Sequence, residues 1–410
     1  MVPWTPGQFT RPPRLQYLRR SCIIIFLVVS TLLISGSLNT AVPADGARQT
    51  TNRLDDSTFF PIGVWLQSPN NATRFKEVGI NLYIGLWKGP TALQLQGLKK
   101  AGMAVLCHQN EAALNDANKD IILGWIQQDE PDNAQKRQYG FIHKPPVSPP
   151  AVYDSFSVIK GKDPSRPVLL NLGQGVAWDK WKGRGTRTNH PEDYEEYVKG
   201  GDIISFDIYP VTHGNPEVRG RLEYVAKGVQ RLKSLASPQQ KVWNVIGVSR
   251  VNNPDVKPTP FQVRSQVWMS IIHGSRGIIY FVHQFKPRFI EAAVFEDSEM
   301  MRELTQLNGL IKSLAVVINS PNTGDIKKLK TSSHEAPVAA ITKRHDSFHY
   351  LLSVAMRSKE TTDSFEFGHD IPDQAAEVLG ENRKVRIKGG ILEDHYGPYE
   401  PHIYKIKCSD

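Results

Sequence analysis

From residue 59 to about residue 320, short apolar runs alternate with segments of helical period. The runs are Phe60–Leu66, Asn81–Trp87, Met103–His108, Ile121–Gln128, Pro167–Leu172, Asp202–Pro210, Lys241–Val248 and Gly277–His283. Most are apolar at consecutive rather than alternate positions, the pattern of parallel strands buried on both faces. Helices are predicted between them over 71–78, 91–101, 151–160, 191–199, 218–235, 260–273 and 298–318, with Gly79 and Gly102 closing the first two. Eight such units over this length predict an α/β chain built as a (β/α)8 TIM barrel. A doubly wound open sheet fits less well, because the first run ends Trp65-Leu66-Gln67-Ser68-Pro69 and lacks the Gly-rich phosphate loop such sheets use.

Past residue 322 the helical period stops. Val338–Ile341, His349–Ala355, Ser364–Phe367, Arg383–Ile387 and His402–Ile406 read as short strands separated by turn residues, a small antiparallel β-sandwich. Upstream, Arg14, Arg19 and Arg20 precede the apolar stretch Cys22–Ile34, and Val42-Pro43-Ala44 offers small residues for cleavage. That is the layout of a secretion signal, and the stretch is short for a membrane span. The expected organisation is a signal peptide at 1–44, a linker at 45–58, the barrel at 59–321 and the β-sandwich at 322–410. The protein is expected to be secreted or periplasmic, with an uncleaved anchor as the alternative, and to meet a membrane only through that segment.

Charge adds little. The formal net charge is +9, of which Arg11, Arg14, Arg19 and Arg20 supply +4 within residues 1–44, leaving +5 for the rest. No basic run with interleaved aromatics occurs, which argues against nucleic-acid binding. Cys107 and Cys408 are too few for a disulfide framework; Cys107 is expected as a buried thiol. Histidines and cysteines do not cluster at metal-ligand spacing, and neither a metal nor a cofactor is expected. Asn71-Ala72-Thr73 matches a glycosylation acceptor, although Asn70 or Asn71 as a helix cap explains the same residues.

Chemistry in such a barrel sits at the C-terminal ends of the strands. Run by run, those ends carry Trp65 and Gln67; Trp87 and Lys88; His108, Gln109, Asn110 and Glu111; Asp129 and Glu130; Asn171 and Gln174; Asp207 and Tyr209; Ser249 and Arg250; and His283 and Gln284. Trp178 and Trp181 follow the fifth run in a polar loop with Lys180, Lys182 and Arg184, a setting that favours exposure and a sugar-stacking role for at least one of them. Aromatic faces stack on sugar C–H surfaces, while amides and carboxylates read hydroxyls. The candidate substrate contacts are Trp65, Gln67, Trp87, His108, Gln109, Asn171, Gln174, Trp178, Tyr209, Arg250 and His283. The fourth run stops on Asp129-Glu130-Pro131. A glutamic acid at that rim, beside apolar walls, would have its pKa raised and could protonate a leaving oxygen.

With Asp129-Glu130-Pro131 at the end of its fourth strand, the chain resembles the clan A glycoside hydrolases, retaining (β/α)8 enzymes whose acid/base glutamate ends strand four in an Asn-Glu-Pro motif. The resemblance covers residues 59–320, and Tyr399-Glu400-Pro401-His402-Ile403-Tyr404 looks like part of the accessory β-sandwiches of bacterial glycosidases. It implies an exported hydrolase of oligo- or polysaccharides with Glu130 as general acid/base. Two departures stand out. Asp129 replaces the family's asparagine, which contacts the substrate 2-hydroxyl. The seventh strand, Val245-Ile246-Gly247-Val248-Ser249-Arg250, lacks the family's nucleophilic glutamate. Asp207 is the first choice for the second carboxylate and Asp129 the second. The alternative is a catalytically inactive carbohydrate-binding barrel.

Overall fold

The computed structural model describes residues 52–136, 143–331, 335–368 and 371–408. The segment read as a secretion signal lies outside them. A parallel sheet carries the first part of the chain: β1 (Ile62–Trp65), β2 (Leu82–Ile84), β3 (Ala104–Cys107), β4 (Ile122–Ile126), β5 (Val168–Leu172), β6 (Ile203–Phe206), β7 (Lys241–Val242), β8 (Asn244–Gly247) and β9 (Ile278–Phe281). Each pairs with its sequence neighbour as far as β7, β9 returns to β1, and β8 pairs with β9. Trp243 interrupts the seventh strand, so β7 and β8 are its two halves. A parallel bridge between Asp207 and Val245 closes the ring. The closed sheet is a (β/α)8 barrel.

Alternation along the strands separates two environments. Leu82, Ile84, Leu106, Ile126, Leu169, Ile203, Val245 and Ile279 form one cluster to which no α-helix contributes, which identifies it as the barrel lumen. Gly63 completes that layer because a Cβ there would meet Ile84 at 3.0 Å. The opposite faces pack outward on the helices α1 (Ala72–Glu77), α2 (Ala92–Lys100), α3 (Glu111–Asn115), α4 (Pro149–Lys162), α5 (Tyr194–Tyr197), α6 (Glu223–Leu235), α7 (Pro260–Ile272), α8 (Ser298–Ser313) and α9 (Ala315–Asn319). The short α3 was not anticipated, and the predicted last helix breaks at Leu314 into α8 and α9. Before α1, Ser68 rather than Asn70 or Asn71 supplies the side-chain cap. At the bottom, Leu54 and Phe59 join the lumen cluster and Asn52 donates to the Leu123 carbonyl at 2.7 Å, so the residues just ahead of β1 plug the floor.

The second part is one antiparallel sheet: β10 (Ile326–Thr331), β11 (Val338–His345), β12 (Phe348–Ala355), β13 (Thr361–Phe367), β14 (Gln374–Val378), β15 (Arg383–Lys388), β16 (Ile391–Tyr396) and β17 (Pro401–Lys407), in the order β10-β13-β16-β15-β14-β17-β12-β11. Leu351 on β12 and Phe365 on β13 share a core although the two strands are far apart in that order, so the sheet folds over on itself as a sandwich does. Strands β10, β14 and β16 were not anticipated. Their stretches, such as Ile391-Leu392-Glu393-Asp394-His395-Tyr396, are too polar to register as apolar runs because only one face is buried.

Candidate active site

The lumen turns polar toward its C-terminal rim, two residues at a time. Leu169 is followed by Asn171, Ile203 by Ser205 and Asp207, and Ile279 by Phe281 and His283, each series on the inward face of its strand. Ser205 donates to the Asn171 side-chain Oδ1 at 2.7 Å, and the Asn171 side-chain amide donates to Asp129 at 2.9 Å. Three strands thereby fix one carboxylate. The β5–β6 register places Asn171 directly opposite Ser205.

Glu130 sits in the turn after β4. Gln127 ends the strand with its side-chain amide spent on the carbonyls of Val152 and Gly200, and the Glu130 N–H donates to the Asn171 carbonyl at 3.0 Å. The backbone of Glu130 is left-handed, φ +44°. That is unusual for a side chain other than glycine or asparagine, costs on the order of 1–3 kcal/mol and occurs where surrounding structure enforces it. Asn133 donates its amide to Glu130 Oε2 at 2.9 Å, and its own oxygen accepts the Trp181 indole N–H at 2.9 Å. The other face of the carboxyl meets Asp207, and each of the two carboxyls bears on the other's ionisation. Two carboxylates placed together disfavour each other's ionisation, so the pair holds a proton to higher pH than an isolated carboxylate would. Tyr209 donates its hydroxyl to Asp207 at 2.8 Å.

The electrostatics follow from this crowding. Removal from water, then the Asp207 charge beside it, pushes Glu130 well above the usual carboxylate range. Burial raises Asp207 to about 7, opposed by the hydrogen bonds from Glu130 and Tyr209. Glu130 is therefore the donor of the pair and Asp207 the partner closer to ionised. Burial also holds Tyr209 well above its ordinary range, so it remains a donor. Loss of water and the neighbouring Glu130 raise Asp129 too. The Asp129 residue stands exposed at the mouth. Asp132, fully buried, accepts from the Gly173 N–H at 2.8 Å and the Tyr194 hydroxyl at 2.9 Å and braces the turn beneath.

Other rim residues distribute unevenly. Gln67 faces His283 Nε2 at 3.1 Å and donates to the Glu291 carbonyl at 3.0 Å; burial pushes His283 down to about 4, so it is neutral. Trp65 is half-buried on the lumen, and Trp87 and His108 are exposed. Gln109 spends its amide on the Ile159 carbonyl of α4. Gln174 accepts from His213 at 2.9 Å. Trp178 is a correction: it is buried, packed edge-on against His213 at 5.2 Å, because the loop after β6 folds over it. Trp181, half-buried, is the tryptophan that reaches the carboxyl turn. Asn133 was missed, although it stands three residues after Glu130. On the seventh strand the Tyr209 ring covers Gly247, where a Cβ would come within 2.7 Å of it. An aromatic ring thus occupies the space a side chain at Gly247 would take.

The α-amylase of Geobacillus thermoleovorans, solved with acarbose, aligns at a TM-score of 0.52 and 11% identity, covering 86% of this chain and 99% of that one. The likeness is one of fold, a (β/α)8 barrel followed by an antiparallel sheet. AmyP, solved with maltose, aligns at 0.50 and 9% identity over 86% of this chain and 98% of its own. A candidate α-galactosidase of Bacteroides fragilis aligns at 0.51 and 9% identity over 86% and 80%. These spans exceed the barrel, so the likeness extends into the C-terminal sheet. No family model and no curated protein matches the sequence.

Proposed function

We propose that this protein is an exported retaining glycoside hydrolase of oligo- or polysaccharides, with Glu130 as general acid/base and Asp207 as nucleophile. The observation that supports the reading is that Glu130 and Asp207 face each other at the rim, Glu130 held by the Asn133 amide and Asp207 by the Tyr209 hydroxyl. Retaining chemistry needs carboxyl groups about 5–5.5 Å apart and inverting chemistry about 6.5–9.5 Å. A pair in contact opens to the shorter separation with less movement. A sugar entering between the two groups separates them. Glu130, held by Asn133, gives its proton to the glycosidic oxygen. Asp207, stabilised as a carboxylate by Tyr209, bonds to the anomeric carbon as the leaving group departs. Glu130 then takes a proton from water, which displaces Asp207 with a second inversion.

On a glycan panel, Glu130→Gln should keep the fold and lose about 10²–10⁴-fold in kcat. Unchanged sugar release in that variant ends the proposal. Proton NMR of the first product should show the substrate's anomeric configuration. The contact between the carboxyls also fits a second reading, a barrel that binds saccharide without cleaving it. Calorimetric binding without any product after long incubation would establish that reading instead.

A further inference from the structure

The loop that follows β9 carries two exposed aromatic residues beside the carboxyl pair. Gln284 and Ile290 bridge to form a hairpin, and its tip presents Phe285, 47% exposed, and Phe289, 61% exposed. Their rings stack at 5.7 Å and 29°. Behind them lies the His283 ring, at 6.2 Å and 7° from Phe285 and 5.9 Å and 24° from Phe289. The stack continues inward, since Phe281 lies 5.9 Å from Phe285 and 5.4 Å from Tyr209, whose hydroxyl holds Asp207. Exposed phenylalanines cost solubility, and two stacked on a rigid hairpin form a platform rather than a scatter.

Cations frame this platform. Lys286 and Arg288 lie between the two phenylalanines in the hairpin, and Arg250 accepts the Phe285 N–H through its carbonyl at 3.1 Å. Among the described residues none of the three cationic groups has a carboxylate within 4.0 Å, whereas nearby Lys257 is paired with Asp297. His283 is neutral and adds no charge. Asp129, Glu130 and Asp207 stand just past the ends of β4 and β6. Glu291, just past the hairpin, turns its carboxylate to the Ser68 N–H, and among the described residues the three cations beside the apolar rings are left unpaired.

We propose that this hairpin and Arg250 form a subsite for an anionic sugar unit, a uronate or a sulfated residue, of the bound glycan. The apolar ring face lies on Phe285 and Phe289, and the acid group meets Arg250, Lys286 and Arg288. The inference names the substrate class of the proposed hydrolase and rests on that reading only for the neighbouring carboxyl pair. It is tested by binding alone, in the Glu130→Gln protein, so a failure to hydrolyse does not bear on it. Matched probes separate the anion from the backbone: dextran sulfate against dextran, and polygalacturonate against its methyl ester.

One charged member should bind about tenfold or more tightly than its neutral match, and which one does so distinguishes sulfate from uronate. Raising NaCl from about 0.05 to about 0.5 M should remove most of that preference. Phe285→Ala with Phe289→Ala should weaken binding about tenfold, the scale of a lost aromatic stack. Arg250→Gln with Lys286→Gln and Arg288→Gln should abolish the preference for the charged member. These side chains lie at or near the surface, and an unchanged melting temperature verifies the fold. Equal affinity for charged and neutral members overturns the proposal. So does wild-type affinity in the triple variant, which would mean that general positive charge elsewhere captures the anion.

Discussion

Glu130 and Asp207 hold their protons unequally because their surroundings differ. Glu130 faces an amide donor on one oxygen and a carboxylate on the other side, while Asp207 receives a phenol. The pair titrates as a unit, so two macroscopic values belong to it jointly. Below the first, both carboxyls are protonated and the nucleophile is lost; above the second, both are ionised and the acid is lost. Activity should therefore be bell-shaped in pH, with its acid limb displaced above the ordinary carboxylate range toward the value near 7 of Asp207. Tyr209→Phe tests the assignment of partners. The hydroxyl stabilises ionised Asp207, so its removal makes ionisation harder and moves the acid limb upward by about one unit, or less if water replaces it. A variant that loses rate equally at every pH, with both limbs in place, would show Tyr209 to be packing only.

At the scale of elements, the barrel strands were legible because burial on both faces writes them as unbroken apolar runs, and Asp129-Glu130-Pro131 was legible because it ends one. The strands β10, β14 and β16 were not, since a half-buried strand mixes polar residues into a short stretch. Trp178 shows a different limit. Its own loop is polar, and what buries it is His213, contributed from the loop after the next strand. Asn133 was equally hidden, because its role depends on Trp181 and on Gly173 across the rim. Gly173 has an ordinary extended backbone, φ −80° and ψ 179°, so alanine is conformationally acceptable there. Its Cβ would nevertheless stand 2.7 Å from Asn133 Nδ2. Gly173→Ala should displace Asn133 from Glu130 and reduce kcat about tenfold, within the span of a lost hydrogen bond to a charged or proton-sharing group. Asn133→Ala removes the obstacle together with the donor. The double variant should match Asn133→Ala alone, and additive losses would show that Gly173 acts by another route.

At the scale of the whole molecule, the sheet and the barrel share a core. Strand β12 is buried on both faces: Tyr350, Leu352 and Val354 join the cluster that contains Val263, Val267 and Ile271 of α7, while Leu351 and Ala355 face the interior of the sheet. Ile403 and Tyr404 on β17 divide the same way. Polar contacts sew the edges of the junction, with Tyr399 donating to Glu223 of α6 at 2.7 Å and Lys343 donating to the Ile318 carbonyl at 3.1 Å. Loss of the sheet would leave α7 with an uncovered apolar face, so the two parts should unfold together. The chain supplies its own reporter, because all eight tryptophans precede residue 269 and the sheet has none. Leu352→Ala removes a fully buried side chain from the sheet side of the junction and should cost about 2–5 kcal/mol. In thermal unfolding, tryptophan fluorescence and calorimetry should both register one transition, shifted downward together. If the calorimetric trace splits while the tryptophan midpoint stays at its wild-type value, the barrel stands without the sheet. The shared core would then be contact without cooperativity.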